Sequence, residues 1–385
     1  MTAGFIQRNP ASRVVFGAGS VARLAAELRA LGVHRPLVAS GRRTARSALH
    51  AAVRQALTTL PARYFDGVPA HSSVATINDL VTIARREAVD GLVAVGGGSA
   101  SDSAKATALL LAEGGRLEDH ASRFTPPDQL VVPVLPAPKL PIVALPCTAS
   151  AAEVTPSLGV RGNDGYKLLF TDPQLAARLI IIDPAASHDV PVALLLSTGI
   201  NGLAHCLEGL YSSQRCPAST ALALHAIALF NRCLPALAES PDDIGLRGDL
   251  LAAANLSGQV LLNARTCLHH AICHVLGAHA GSAHGDANAV MLPAAIAFNA
   301  DAAPVELAAA ARACGLAEET AASLIEHLRS LQQRLGVPTR LGQLGVRRDQ
   351  LPHLAEQVMH ERGLFFNPRR VRDANDILNL LERVF

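Results

Sequence analysis

The chain has no tryptophan and only three tyrosines among its 385 residues, so a platform of aromatic rings for stacking nucleic-acid bases has little to be built from. Lys and Arg number 34 against 32 Asp and Glu, for a net charge of +2. They are interspersed, and no basic stripe offers itself to a phosphate backbone. The seven cysteines are odd in number and contain no C-x-x-C, which argues against both a disulfide framework and a zinc ribbon. No unbroken apolar run of membrane-spanning length occurs, and the opening MTAGFIQRNP lacks the apolar region of an export signal. The expectation is a cytoplasmic protein acting on a small molecule, with neither nucleic acid nor membrane as partner.

Apolar residues make up 50% of the chain, enough to fill more than one core at a length where single cores stop growing. The first half alternates short apolar runs with helical patterns. Strands are predicted at Arg13–Phe16, Pro36–Ala39, Arg63–Phe65, Gly91–Val95, Ile142–Leu145 and Leu179–Ile182, and helices over Val21–Leu31 and Ile77–Ala88. That alternation predicts an α/β dinucleotide-binding domain of Rossmann type, with a parallel sheet and helices on both faces, over residues 1–183. After LIIIDPAAS the strand signal vanishes, and 184–385 reads as an all-helical domain that would hold the substrate or metal site. The Pro-rich segment 116–141 reads as a surface excursion.

Two glycine-rich turns could hold a nucleotide. Gly17-x-Gly19-x-x-Ala22 has the outline of a dinucleotide fingerprint but lacks the acidic residue expected some twenty positions on, so it reads as a strand-to-helix turn. Gly96, Gly97 and Gly98 follow a buried strand, with Ser99 where a helix begins and Asp102 in its first turn. Free helix N–H groups and the absence of Cβ atoms suit a pyrophosphate there. The neighbouring segment ASGRR carries Ser40, Arg42 and Arg43 instead of a carboxylate, so NADPH should be accepted beside NADH.

Five of the fifteen histidines crowd into LHHAICHVLGAHAGSAHG: His269, His270, His274, His279 and His284. His270 and His274 are four apart, as are Asn201 and His205 upstream, so each pair shares one helix face. A metal site, a proton-handling pocket and a merely imidazole-rich helix all remain open on this pattern.

The chain resembles the iron-containing alcohol dehydrogenase family. GGGSASDSAK matches that family's first nucleotide loop, and LPCTASAAEVT is similar to the second, with Thr148 in place and Cys147 and Ala152 departing. GYKLLF places Lys167 where the family has a lysine near the cofactor. STGINGLAHCLEGLYSS and AHGDANAVMLP match its two metal-site segments. The resemblance implies NADH or NADPH as cofactor, bound by Gly96, Gly97, Gly98, Ser99, Asp102, Thr148 and Lys167. It implies a homodimer, and it carries the metal ligands onto Asn201, His205, His270 and His284. An amide thus stands where the family has an aspartate. A neutral donor holds Fe²⁺ or Zn²⁺ less tightly than a carboxylate, so occupancy by either ion is doubtful.

Asn201 together with LHHAICHVLG and NPRRV resembles the maleylacetate reductase subgroup, whose members reduce the activated C=C of an oxo-diacid in aromatic degradation without an obligatory metal. His205, His270 and His274 are the candidate catalytic residues, with His274 the favoured proton donor. The alternatives are a metal-dependent alcohol dehydrogenase acting on aldehydes or ketones and, more remotely, a lyase of the dehydroquinate synthase type, which would leave its cofactor unchanged overall.

Overall fold

The structure, a computed structural model, describes residues 4–125, 129–162 and 167–385, with the backbone alone for His279 and Ala280. Gly165 and Tyr166 of the GYKLLF segment and the centre of the Pro-rich stretch lie outside the described residues.

The strands are β1 (Arg13–Phe16), β2 (Pro36–Gly41), β3 (Arg63–Val68), β4 (Gly91–Gly96), β5 (Arg123–Thr125), β6 (Gln129–Val131), β7 (Ile142–Pro146), β8 (Ser157–Arg161), β9 (Lys167–Thr171) and β10 (Leu179–Ile182). Six of them form a parallel sheet in the order β1-β10-β7-β4-β2-β3. Central strands β4, β7 and β10 are buried throughout, as near-continuous apolar runs in a sheet covered on both faces must be. The pleat divides their side chains. Val38, Val93, Val95, Val143, Leu145, Leu179 and Ile181 meet Leu24 and Leu28 of α1 (Leu24–Ala30) and Leu49 and Val53 of α2 (Ala48–Ala56). On the opposite face lie α3 (Val74–Arg86) and α4 (Gly98–Glu113), the latter against β4, β2 and β7.

All six expected strands are present, and four run one to three residues further at their carboxyl ends. β8 and β9 form an antiparallel hairpin that the apolar pattern does not announce. Within the Pro-rich excursion, β5 and β6 pair as a two-stranded sheet.

The second compact unit comprises 192–385 with 1–8 and 124–130; the sheet unit comprises 9–123 and 131–191. Against an expected boundary at 183/184, the division falls between Pro191 and Val192, because the 3₁₀ turn Pro184–Ser187 packs back on α2. The helical unit contains α5 (Val192–Tyr211), α6 (Pro217–Glu239), α7 (Ile244–Ala264), α8 (Leu268–Ala280), α9 (His284–Asn299), α10 (Pro304–Ala313), α11 (Ala321–Leu335), α12 (Leu351–Val358) and α13 (Ala374–Arg383). α5 is buried almost all round, and α6, α7 and α9 pack on it. A Cβ on Gly202 would lie 2.5 Å from the Phe230 ring, so glycine is what lets α6 approach so closely. α6 is long and apolar enough to cross a membrane, yet it packs against α5, α7, α10 and α11.

Candidate active site

In the sheet unit, Gly96 ends β4 at φ +139°, a backbone conformation that side chains resist, and Gly97 caps α4. A Cβ on Gly97 would stand 3.0 Å from Thr148 Oγ1, so the two nucleotide loops of the sequence meet at this glycine. Their strands are neighbours, and Cys147 N donates to Gly96 O at 3.1 Å. Ser99 lies in the first turn of α4 and accepts from His71 N at 3.1 Å. Asp102 accepts from Gly159 N of β8 at 3.4 Å, so one carboxylate oxygen serves the hairpin; burial pushes this carboxyl up against the pull of Lys105 and Lys167. Lys167 is exposed and runs its stem over Gly159, where any Cβ would collide with it.

Lys105, one turn further along α4, is fully buried. Its Nζ donates to the carbonyls of Ala152 (2.5 Å), Thr155 (2.6 Å) and Ser157 (3.1 Å). One ammonium therefore gathers the whole second loop beneath the glycine turn. Burial lowers its pKa to about 8, and buried Glu153 beside it is raised to about 7. Sequence reasoning assigned Lys105 no role, although it closes the glycine-loop motif.

In the helical unit, Asn201, His205 and Glu208 follow one another at i, i+4 and i+7 along a buried stripe of α5. α8 faces them with His269, His270 and His274. It ends on Gly281 at φ +66°, and α9 opens on His284 three residues later. That left-handed cap reverses the chain and returns His284 to the group. Its ring centroid lies 6.0 Å from that of His270 and 5.9 Å from that of His274. His205 stacks on His270 with centroids 4.7 Å apart.

Hydrogen bonds fix the chemistry of each ring. Glu208, wholly buried, accepts from His269 N with Oε1 (2.8 Å) and from His270 Nδ1 with Oε2 (2.6 Å). It thus caps the first turn of α8 and sets the tautomer of His270 in one contact. The lone pair of His270 is then on Nε2, which lies 3.1 Å from Asn201 Oδ1, so the two bond once the carboxamide turns its N–H₂ to this nitrogen. His269 is packing: its Nε2 donates to Asn288 O at 3.0 Å, and burial holds its pKa down at about 4. Burial and the neighbouring imidazoles push His205 well below the ordinary histidine value, and its Nδ1 is buried without a hydrogen-bond partner among the described residues. His274 is different. Its side chain is 26% exposed, and its Nδ1 lies 3.2 Å from Glu361 Oε2.

Glu208, His269 and His270 bring potential ligand atoms within 4.8 Å of one another, but this is not a second metal site. Both carboxylate oxygens and the His269 nitrogen that faces Asn288 are already committed to hydrogen bonds.

Two family models match the chain. Residues 11–184 match the iron-containing alcohol dehydrogenase model, and 195–385 match the C-terminal model of the Fe-containing alcohol dehydrogenase family. The chain belongs to the iron-containing alcohol dehydrogenase family. It is 31% identical over 381 residues to a maleylacetate reductase of Pseudomonas knackmussii, covering 99% of this chain and 97% of the relative. The crystal structure of a maleylacetate reductase from Agrobacterium tumefaciens superposes with a TM-score of 0.84 at 31% identity, covering 100% of this chain and 99% of that one. A 1,3-propanediol oxidoreductase structure gives a TM-score of 0.91 at 27% identity, covering 99% of this chain and 100% of that one. The protein is an NAD(P)-dependent oxidoreductase of this family, a reductase related to those enzymes.

Within this family assignment, the structure brings Asn201, His205, His270 and His284 into one cluster of the helical unit, with His274 at its exposed side. It brings Gly96, Gly97, Gly98, Ser99 and Thr148 together in the sheet unit. In the helical unit, Glu208 is the residue missed. The family segment ending in CLE marked it, but its task is visible only once α8 is in place.

Gly97→Val is expected to raise the dissociation constant for reduced cofactor at least about tenfold, because its branched Cβ would enter the space beside Thr148 that a pyrophosphate needs. Gly19, at φ +75° with open space around it, serves as the control. Gly19→Ala should cost about 1 kcal/mol of stability and leave cofactor affinity alone. Fluorescence titration and thermal unfolding of both variants check this, and undiminished affinity in Gly97→Val would show that the cofactor lies elsewhere.

Proposed function

We propose that the protein reduces the ketone-conjugated C=C of an oxo-diacid such as maleylacetate with NAD(P)H, as a cytoplasmic homodimer in aromatic degradation. One observation carries this reading: the carboxamide of Asn201 lies against the lone-pair nitrogen of His270, its Oδ1 3.1 Å from Nε2. An aspartate there would set acceptor against acceptor and require an ion or a proton between them. A carboxamide carries a donor beside its acceptor and, with its two ends exchanged, offers N–H₂ to that nitrogen, so this contact needs no cation.

The glycine turn fits a reduced nicotinamide cofactor, held by Gly96–Gly98, Ser99, Thr148 and Lys167; it supplies a hydride, which a ketone-conjugated alkene accepts at its β-carbon. The chain must then supply a hydrogen-bond donor for the enolate oxygen and one proton for the α-carbon. Asn201 keeps a second N–H for the oxygen. His205 and His269 are held neutral by burial, which disqualifies both as acids. His274, partly exposed and backed by Glu361, exchanges protons with solvent and is the donor this reading selects. Asn201, His205, His270 and His284 would be the holders of a divalent ion, which could polarise a carbonyl. Three imidazoles and an amide suit Zn²⁺ better than the harder Fe²⁺, and an unactivated alcohol is the substrate that would need such help.

The test follows reduced-cofactor consumption by protein stripped with a chelator. Turnover of maleylacetate should survive stripping, while simple aldehydes should be reduced poorly. Asn201→Asp should bind Zn²⁺ or Fe²⁺ at least about tenfold more tightly, through the added negative charge. Stripped protein that is inert toward maleylacetate, yet regains aldehyde reduction with added metal, would instead identify a metal-dependent dehydrogenase.

A further inference from the structure

Three arginines line a single cavity of the sheet unit. Arg42, Arg43 and Arg46 line a cavity of about 490 Å³ with Ser47 and Asp189. Among the described residues none of the three guanidiniums has a hydrogen-bond or ion-pair partner, in contrast to nearby Arg54, which is paired with Asp66 at 3.1 Å. The one carboxylate in the lining is engaged. Asp189 accepts from Ala48 N at 2.6 Å with Oδ2, and its Oδ1 lies 3.4 Å from His188 Nδ1. Three cationic side chains around a single carboxylate leave a surplus of positive charge, and the arrangement is stabilised by an anion that takes donors from several at once.

The position of this cavity says which anion. β2 and β4 are adjacent parallel strands with Ser40 opposite Val95, so both chains leave the sheet at the same level. A Cβ on Gly96 would lie 3.3 Å from Thr44 Oγ1, so the turn bearing the arginines abuts the glycine turn directly. A ribose diol at the end of the neighbouring strand calls for a free carboxylate, whereas a 2′-phosphate calls for arginine. Ser40 and Gly41 occupy that strand end. The carboxylate that Ser40 touches, Asp66 at 2.9 Å, is shared with Arg54 and with His50 at 3.0 Å. The two nearby carboxylates, Asp66 and Asp189, already accept from protein groups, and the surplus of cationic charge matches a phosphate monoester.

We propose that Arg42, Arg43 and Arg46 form a phosphate-monoester pocket that selects NADPH over NADH. The inference rests on the reading that Gly96–Gly98 receives the pyrophosphate, and it goes further by naming which cofactor the chain prefers and why. Arg46 and Asp189 join the pocket only in the folded structure, Arg46 from the 3₁₀ turn Thr44–Arg46.

The experiment measures dissociation constants of NADPH and NADH, with adenosine 2′-phosphate and adenosine 5′-phosphate as competitors, for the wild type and for the triple variant Arg42→Ser, Arg43→Ser, Arg46→Ser. Wild type should bind NADPH at least about tenfold more tightly than NADH, and the triple variant should lose that margin while its NADH affinity shifts less than about twofold. Added salt should erode the wild-type margin, since the pocket is open to solvent. Equal affinities in the wild type, or a triple variant that weakens both cofactors alike, overturns the pocket while leaving the glycine turn intact. Gly97→Val provides the separation. It should weaken both cofactors together, and a wild type that binds neither would overturn the underlying reading as well.

Discussion

Glu208→Gln lowers kcat by roughly a hundredfold, with cofactor affinity unchanged, if the carboxylate governs His270 as its contacts indicate. The amide would still accept from His269 N, but its other end would present N–H₂ to His270 Nδ1. The proton of that ring would be driven to Nε2, facing Asn201, and the donor pattern of the pocket would be inverted. Amidating the carboxylate behind a catalytic histidine is known to act through this tautomer reversal. Glu208→Ala is harsher. It strands His269 N–H and His270 Nδ1–H in a fully buried place and should destabilise the protein by about 3–5 kcal/mol. Denaturant titration of the two variants with steady-state kinetics on the Gln form separates these effects. A Gln variant with wild-type kcat would show that the His270 tautomer is irrelevant to turnover.

His274→Ala should lower kcat by about 10²- to 10⁴-fold, the usual contribution of a positioned proton donor. Glu361→Gln should lower kcat more mildly, since it removes the carboxylate that stands 3.2 Å from Nδ1 and orients the ring. Cofactor affinity should be unchanged in both variants. A purely structural histidine would lose stability on truncation without a matching loss of kcat in the folded variant. Near-normal kcat in His274→Ala would remove this residue from the chemistry.

The extent to which the sequence disclosed this arrangement follows from where the information is stored. Apolar runs located all six sheet strands, most plainly β4, β7 and β10, which are buried throughout and therefore apolar throughout. The same runs stopped short of the true ends: β2 continues through Ser40 and Gly41, β4 through Gly96 and β7 through Pro146. These small or polar residues are strand by pairing but sit at the edge where a ligand must approach, so composition there answers to function. The β8–β9 hairpin went unseen because each strand is only five residues long and mixes buried with exposed positions. Histidine spacing grouped His205 with Asn201 and His270 with His274, but the return of His284 depended on the backbone of Gly281. Lys105 and Glu208 were silent in isolation. Each acts by gathering groups from elsewhere in the chain, and neither task leaves a periodic signature.

The cap of α8 has a consequence for how this protein assembles. A helix capped by its own flanking residue can begin as soon as that stretch of chain exists. α8 instead receives its cap from a side chain sixty-one positions earlier, on a different helix. Its first turn, the one carrying His269 and His270, is therefore completed only in states where α5 has already docked. Hydrogen exchange at the His269 amide should report docking of that helix pair and not local fraying, so any partly unfolded form that releases α5 also dismantles the imidazole cluster. A chain that has not finished folding its helical unit cannot hold these imidazoles together.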